Sequence, residues 1–160
     1  MIENKLNNIK NAISKSVTIV AVSKTKPIND ILQLYKSGHL DFGENKVQEL
    51  LFKEEKLPKD IKWHMIGHLQ RNKVKSIVPF INLIHSVDSL RLIKKIDEEA
   101  KLINNSVNIL LQVKISREVS KYGFSFAELN SFLNSSYPEQ YQNINIQGLM
   151  GMATFTNDKD

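Results

Sequence analysis

The fold class this sequence predicts is α/β, built on a parallel sheet, and three observations predict it. Short β-branched apolar runs alternate with stretches of helical periodicity from Val17 to Met150, the mark of repeated βα units. The first of these runs is continuously apolar, as a strand covered on both faces requires. No Pro/Gly/Ser-rich linker and no low-complexity segment interrupts the rhythm, so residues 1–160 are expected to form a single domain. Right-handed crossovers are expected to join six strands. Periodicity leaves open whether the sheet stays flat or curls toward a barrel.

Ile2, Leu6, Ile9 and Ile13, spaced by three and four, predict an opening amphipathic helix. Val17 to Val22 predicts the first strand, which ends at Ser23-Lys24-Thr25-Lys26-Pro27. Pro27 suits the first turn of a helix, and Ile31, Leu32 and Tyr35 carry that helix to Gly38 at its C-terminal cap. Leu40-Asp41-Phe42 predicts the second strand. A helix over 46–56 then turns Val47, Leu50 and Leu51 inward and stops before Pro58. Ile61 to Ile66 predicts a third strand, 69–78 a basic helix, and Phe80 to His85 a fourth strand. The spacing of Leu92, Ile93, Ile96 and Ala100 predicts a helix over 89–103. Val107 to Ile115, a helix near 125–134, and Ile144 to Met150 complete the series.

Composition narrows the function classes. With no cysteine among 160 residues, disulfides and thiolate metal sites are excluded. No apolar run approaches the roughly 18 residues of a membrane span, and the N-terminus lacks the apolar centre of a signal peptide. A cytoplasmic protein without a membrane partner is expected. The net charge of +5 is unevenly spread: residues 1–40 carry six basic and two acidic side chains, residues 121–160 two and four. That gradient suits a small anion near the first half better than a nucleic-acid tract.

In parallel α/β folds, ligand groups collect where the strands end and the βα loops begin. Lys24 stands one residue past an apolar strand, where desolvation disfavours an ammonium and favours the free amine that condenses with aldehydes. Position alone favours a solvated loop lysine, since most lysines lie at the surface. Lys121, in Ser120-Lys121-Tyr122-Gly123, is either a second such amine or a plain loop cation. His64 and His68 are four apart, but Trp63 to Ile66 reads as strand, so the two imidazoles share no face and no metal site is expected. His85 is expected as a hydrogen-bonded lining residue. The basic stretch 68–75 has no interleaved aromatic side chain, and reads as a solvated helix face with Val74 and Ile77 inward, not as a nucleic-acid surface.

The motifs themselves add more. Val20-Ala21-Val22-Ser23-Lys24-Thr25-Lys26-Pro27, Phe42-Gly43-Glu44-Asn45-Lys46-Val47-Gln48-Glu49 and Trp63-His64-Met65-Ile66-Gly67-His68-Leu69-Gln70-Arg71-Asn72-Lys73 closely resemble the pyridoxal phosphate homeostasis protein family. Ile84-His85-Ser86-Val87-Asp88, Leu111-Gln112-Val113, Ser120-Lys121-Tyr122-Gly123 and Gly148-Leu149-Met150-Gly151-Met152 match in the same order. The resemblance implies a parallel (β/α) barrel of the alanine racemase N-terminal type, with about six of its eight βα units present. It implies pyridoxal 5′-phosphate as cofactor, held as a Schiff base on Lys24, with Asn45 beside it and His64, Gly67 and Met150 as lining. No residue is assigned a catalytic role. The family resembles carriers or regulators of the cofactor supply, with transient acceptor enzymes as partners and a monomer as the expected state. An amino-acid racemase is the alternative, although it needs an acid/base on the opposite face of the cofactor, and none of the four tyrosines sits in a strand-end position that clearly fits that role. A nucleic-acid module using residues 62–75 is a third reading. The family's chain normally continues, and its phosphate-binding loops lie in that continuation, so the sequence is expected to be a fragment.

Overall fold

The computed structural model describes residues 2–115 and 122–153. Helix α1, Ile2–Ala12, leads into strand β1, Ala21–Val22; then follow α2 (Ile28–Lys36), β2 (Asp41–Glu44), α3 (Val47–Lys56) and β3 (Lys62–Met65). A 3₁₀ turn, Arg71–Lys73, opens onto the short α4 (Val74–Ile77), followed by β4 (Ile81–Val87), α5 (Leu90–Leu102) and β5 (Val107–Val113). Helices α6 (Phe126–Leu133) and α7 (Tyr137–Gln140) precede β6 (Ile144–Gly151). All five ladders are parallel, and each joins a strand to the next one in sequence, giving the order β1-β2-β3-β4-β5-β6. No helix among the described residues is long and apolar enough to cross a membrane.

Local chemistry sets the element ends. Helix α2 stops where Gly38 takes φ +84°, a left-handed position that glycine adopts without a Cβ penalty, and the Gly38 and His39 N–H groups close on Tyr35 and Leu34. Helix α6 starts at a capping box, in which Ser125 and Glu128 exchange side-chain and backbone hydrogen bonds. The outward sides of the strands supply Phe42, Trp63, Met65, Ile84, Ile109 and Leu111. They pack against Ile31, Leu50, Val74, Ile77, Leu92, Ile93, Ile96 and Phe132 of the helices. Burying Trp63 and Phe42, whose rings lie 6.2 Å apart, contributes about 1.5–3 kcal/mol for the phenylalanine alone.

The sheet is curved. Laid flat, β1 and β6 would stand about 24 Å apart at the usual strand spacing of about 4.8 Å, yet Val22 and Lys24 share one cavity with Met150. Among the described residues, five βα units and a sixth strand thus wrap their helices around the outside and leave a concave inner face.

Two expectations are corrected here. The apolar run at Val17–Val22 contributes only Ala21 and Val22 to the ladder, and Val17 and Val22 are about half exposed. Among the described residues β1 is bonded on one side only, to β2, so its β-branched residues lack a second neighbour there that would extend and cover them. The basic helix over 69–78 is a 3₁₀ turn plus one α-turn. On the concave side the later strands carry a polar layer: Asp41, His64, Asn82, His85 and Asn108 are linked there, and Asn145 donates to Asn108 at 3.2 Å. Lys121 and the terminal Asn157-Asp158-Lys159-Asp160 lie outside the described residues, as does the side chain of Ile2.

Candidate functional site

The C-terminal end of β1 turns sharply through Ser23, Lys24 and Thr25, and buried charge fixes that turn. Lys53 of α3 is 3% exposed and donates to the Ser23 carbonyl at 2.7 Å, to Glu44 Oε1 at 2.7 Å and to Glu49 Oε1 at 2.6 Å. The Ser23 hydroxyl donates to the same Glu44 oxygen at 2.6 Å, and the Thr25 N–H donates to Glu49 Oε1 at 2.6 Å. Burial pushes the Glu44 carboxyl above its ordinary range, against the hydrogen bonds from Lys53 and Ser23 that pull it down. Burial acts upward on Glu49 as well, but there the bonds from Lys53 and the Thr25 N–H outweigh it and the carboxyl titrates low. Thr25 sits at φ +63°, a left-handed conformation that a β-branched residue rarely adopts.

Lys24, held between these clamped neighbours, lines a cavity of about 510 Å³ at the strand ends. Asn45 from the end of β2, Gly67 from the end of β3 and Met150 from β6 line it too, so the structure brings together four of the five residues the sequence singled out. Val22, Ile66 and Met152 add apolar wall, while Gln112, His68 and Tyr122 add polar groups. Gly67 is required by space: a Cβ there would run into the Asn45 backbone, with Cα at 2.7 Å. Lys24 is the only lysine or arginine among the described lining residues, and its side chain is exposed. The desolvated rim expected from the sequence is therefore not supplied by these residues.

His64 is not in this cavity. It is buried one layer deeper, with Nε2 3.1 Å from Asp41 Oδ1 and Nδ1 2.8 Å from His85 Nε2. A carboxylate only accepts, so His64 carries its proton on Nε2 and its Nδ1 accepts from His85 Nε2–H. The polar concave face, with a carboxylate on the neighbouring strand, draws His64 into this network. Burial lowers the pKa of both imidazoles, that of His85 to about 4, with the neighbouring His64 acting in the same direction. Groups whose folded pKa lies below the unfolded value of 6.5 stabilise fully above that pH, and the contribution is lost as pH falls through the folded pKa. Thermal unfolding followed from about pH 7 down to about pH 4 is expected to show a falling melting temperature. His85→Gln is expected to flatten that fall, and an unchanged slope would remove the pair as its cause.

The sequence did not single out Tyr122 as a site residue, although the segment 116–123 that carries it follows the fifth strand; Lys121 stood out there instead. Tyr122 stacks on His68, with centroids 4.0 Å apart, and its carbonyl accepts from Gln112 Nε2 at 3.0 Å. His68 also meets Asp88 at 3.3 Å. No group of three metal-ligating side chains is found among the described residues. Arg71 and Lys75 face solvent while Val74 and Ile77 are buried, as the amphipathic reading of that stretch expects.

Comparison with known proteins gives a consistent set of likenesses. The family model for the alanine racemase N-terminal domain matches residues 1–160. The pyridoxal phosphate homeostasis protein of Synechocystis sp. is 42% identical over 137 residues, covering 84% of this chain and 62% of its own. Its counterpart in Helicobacter pylori is 37% identical over 161 residues, covering 97% of this chain and 71% of its own. The structure of PipY from Synechococcus elongatus PCC7942, solved with PLP bound, superposes with a TM-score of 0.89 at 35% identity, over 98% of this chain and 72% of that one. The chain thus spans a little under two thirds of the Synechocystis relative.

Proposed function

The chain belongs to the alanine racemase N-terminal domain family, and within it to the pyridoxal phosphate homeostasis proteins; on that premise we propose that it binds pyridoxal 5′-phosphate covalently through Lys24. The reading rests on one observation: Lys24 enters a cavity at the strand ends together with Asn45, Gly67 and Met150. That cavity suits a flat heteroaromatic aldehyde. Val22, Ile66 and Met150 offer apolar contact to ring faces, and Asn45 and Gln112 offer hydrogen-bonding groups to ring substituents. When bound, the cofactor supplies an aldehyde carbon that a primary amine attacks with loss of water, leaving a C=N bond.

The chain's own residues then have simple tasks. The Ser23–Thr25 turn presents the Lys24 amine, Asn45 and Gln112 orient the ligand, and the His68–Tyr122 stack forms one wall of the mouth. His64 is assigned to the supporting network below the cavity, not to its lining. The proposed role is that of a cytoplasmic monomer holding the cofactor and releasing it to acceptor enzymes, in keeping with the open, exposed mouth at Lys24. Such a role calls for no catalytic residue, metal, membrane or nucleic acid.

Mixing the protein with pyridoxal 5′-phosphate, reducing with borohydride and mapping the adduct by peptide mass tests this reading. The expected outcome is label on Lys24 and its loss in Lys24→Ala. Label on another lysine, or none, overturns it.

A further inference from the structure

We propose that the buried cluster of Lys53, Glu44 and Glu49 positions Lys24, setting the direction in which its amine enters the cavity; this rests on the covalent role given to Lys24 above. Lys24 Nζ makes no hydrogen bond or ion pair to any described residue, so its placement comes from its backbone. The backbone on either side is hydrogen-bonded. Before Lys24, the Ser23 carbonyl accepts from Lys53, the Ser23 hydroxyl donates to Glu44, and the Ser23 N–H donates to the Gly43 carbonyl at 3.0 Å. After it, the Thr25 N–H donates to Glu49, which holds Thr25 in the left-handed region at φ +63°.

Stability alone does not explain such a cluster. Buried ion pairs are often replaced by apolar side chains of similar volume without loss, because taking charges out of water offsets their attraction. Here the pair is also incompletely satisfied, since Glu44 Oε2 is buried without a hydrogen-bond partner. Strain at Thr25 and an orphaned oxygen on Glu44, the residue bonded to Ser23, are two local penalties at one three-residue turn and its support, and the residue they orient is Lys24. Small displacements of a reacting group have large effects on covalent chemistry, which gives this rigidity a purpose.

Glu49 is partly accessible, and changing it leaves the Glu44–Lys53 pair in place. Glu49→Ala removes the Thr25 clamp, Glu49→Gln keeps an oxygen to accept from the Thr25 N–H, and Thr25→Gly relieves the left-handed strain. The affinity for pyridoxal 5′-phosphate, the circular dichroism induced in the bound cofactor's visible band, and the melting temperature of the cofactor-free protein are measured for each. Glu49→Ala and Thr25→Gly are expected to bind about tenfold more weakly, with a reduced induced signal per bound cofactor. Glu49→Gln is expected to recover most of both. Thr25→Gly is expected to melt at or above the wild-type temperature, so that stability and binding move apart. Wild-type affinity and induced signal in Glu49→Ala and Thr25→Gly, or losses of affinity that only track lost melting temperature, overturn the inference. Borohydride mapping of the wild type separates the two failures: with label on Lys24 only the positioning role falls, and without it the covalent reading falls as well.

Discussion

Replacing Lys53 with methionine is expected to destabilise the fold by about 3–5 kcal/mol at neutral pH. The ammonium has three donors, and all three are used inside the protein, on the Ser23 carbonyl, Glu44 and Glu49. Methionine fills similar space but leaves Glu44, fully buried, with an uncompensated charge. The sign of the pH dependence follows. Burial already raises the Glu44 pKa above 4.5, and removing the lysine that pulls it down raises it further. A carboxyl with a raised folded pKa stabilises fully below its unfolded pKa, and that contribution is lost as pH rises through the folded value. The deficit of the variant relative to wild type is therefore expected to be largest near pH 7 and smaller near pH 5. Denaturant titrations of both proteins at the two pH values measure it, and a deficit independent of pH would show that Glu44 is not the group left stranded.

Gly67→Ala is the second large effect expected, and it acts through space. The added methyl meets the Asn45 carbonyl oxygen, Cα and carbonyl carbon, the last at 2.8 Å, and a backbone cannot swing aside as a side-chain tip can. Retreat is blocked on both sides: the Ile66 N–H is bonded to the Glu44 carbonyl at 3.0 Å, and the Gly67 carbonyl accepts from the buried Ser86 hydroxyl at 2.5 Å. Overpacking of this kind typically destabilises by about 1–3 kcal/mol. Cofactor binding is expected to suffer more, because the segment that must move carries Asn45 into the cavity. Calorimetric unfolding together with cofactor titration checks this. A variant that melts lower but binds normally would remove Asn45 from the ligand-orienting role.

The outer half of this architecture was readable in the sequence, because it is written in periodicity. Leu92, Ile93, Ile96 and Ala100 recur at helical spacing and are all buried, and the runs containing Phe42, Trp63, Ile84 and Ile109 became strands. The inner half was not, since it depends on partners far apart in the chain. His64 reads as part of an apolar strand until Asp41 and His85 are brought beside it. Lys53 looks like an ordinary basic residue in the last turn of a helix, and only its contacts with the Ser23 carbonyl after β1 and Glu44 at the end of β2 reveal that it is sealed. The apolar run at Val17 carried strong β-propensity, yet propensity supplies no neighbour to bond to, and most of the run stays outside the ladder. In the cavity, Lys24, Asn45, Gly67 and Met150 were found through motif order. Tyr122 was missed because nothing in a loop sequence states which way its ring will fold.

Since each ladder pairs a strand with the one made just before it, the molecule has the connectivity of a scroll wound from one end. A growing polypeptide could lay down each unit against the previous one as it leaves the ribosome, without waiting for distant sequence to arrive. The turn bearing Lys24 and its clamps on α3 would then be complete once Lys56 has emerged, well before β6 brings Met150 to the same cavity.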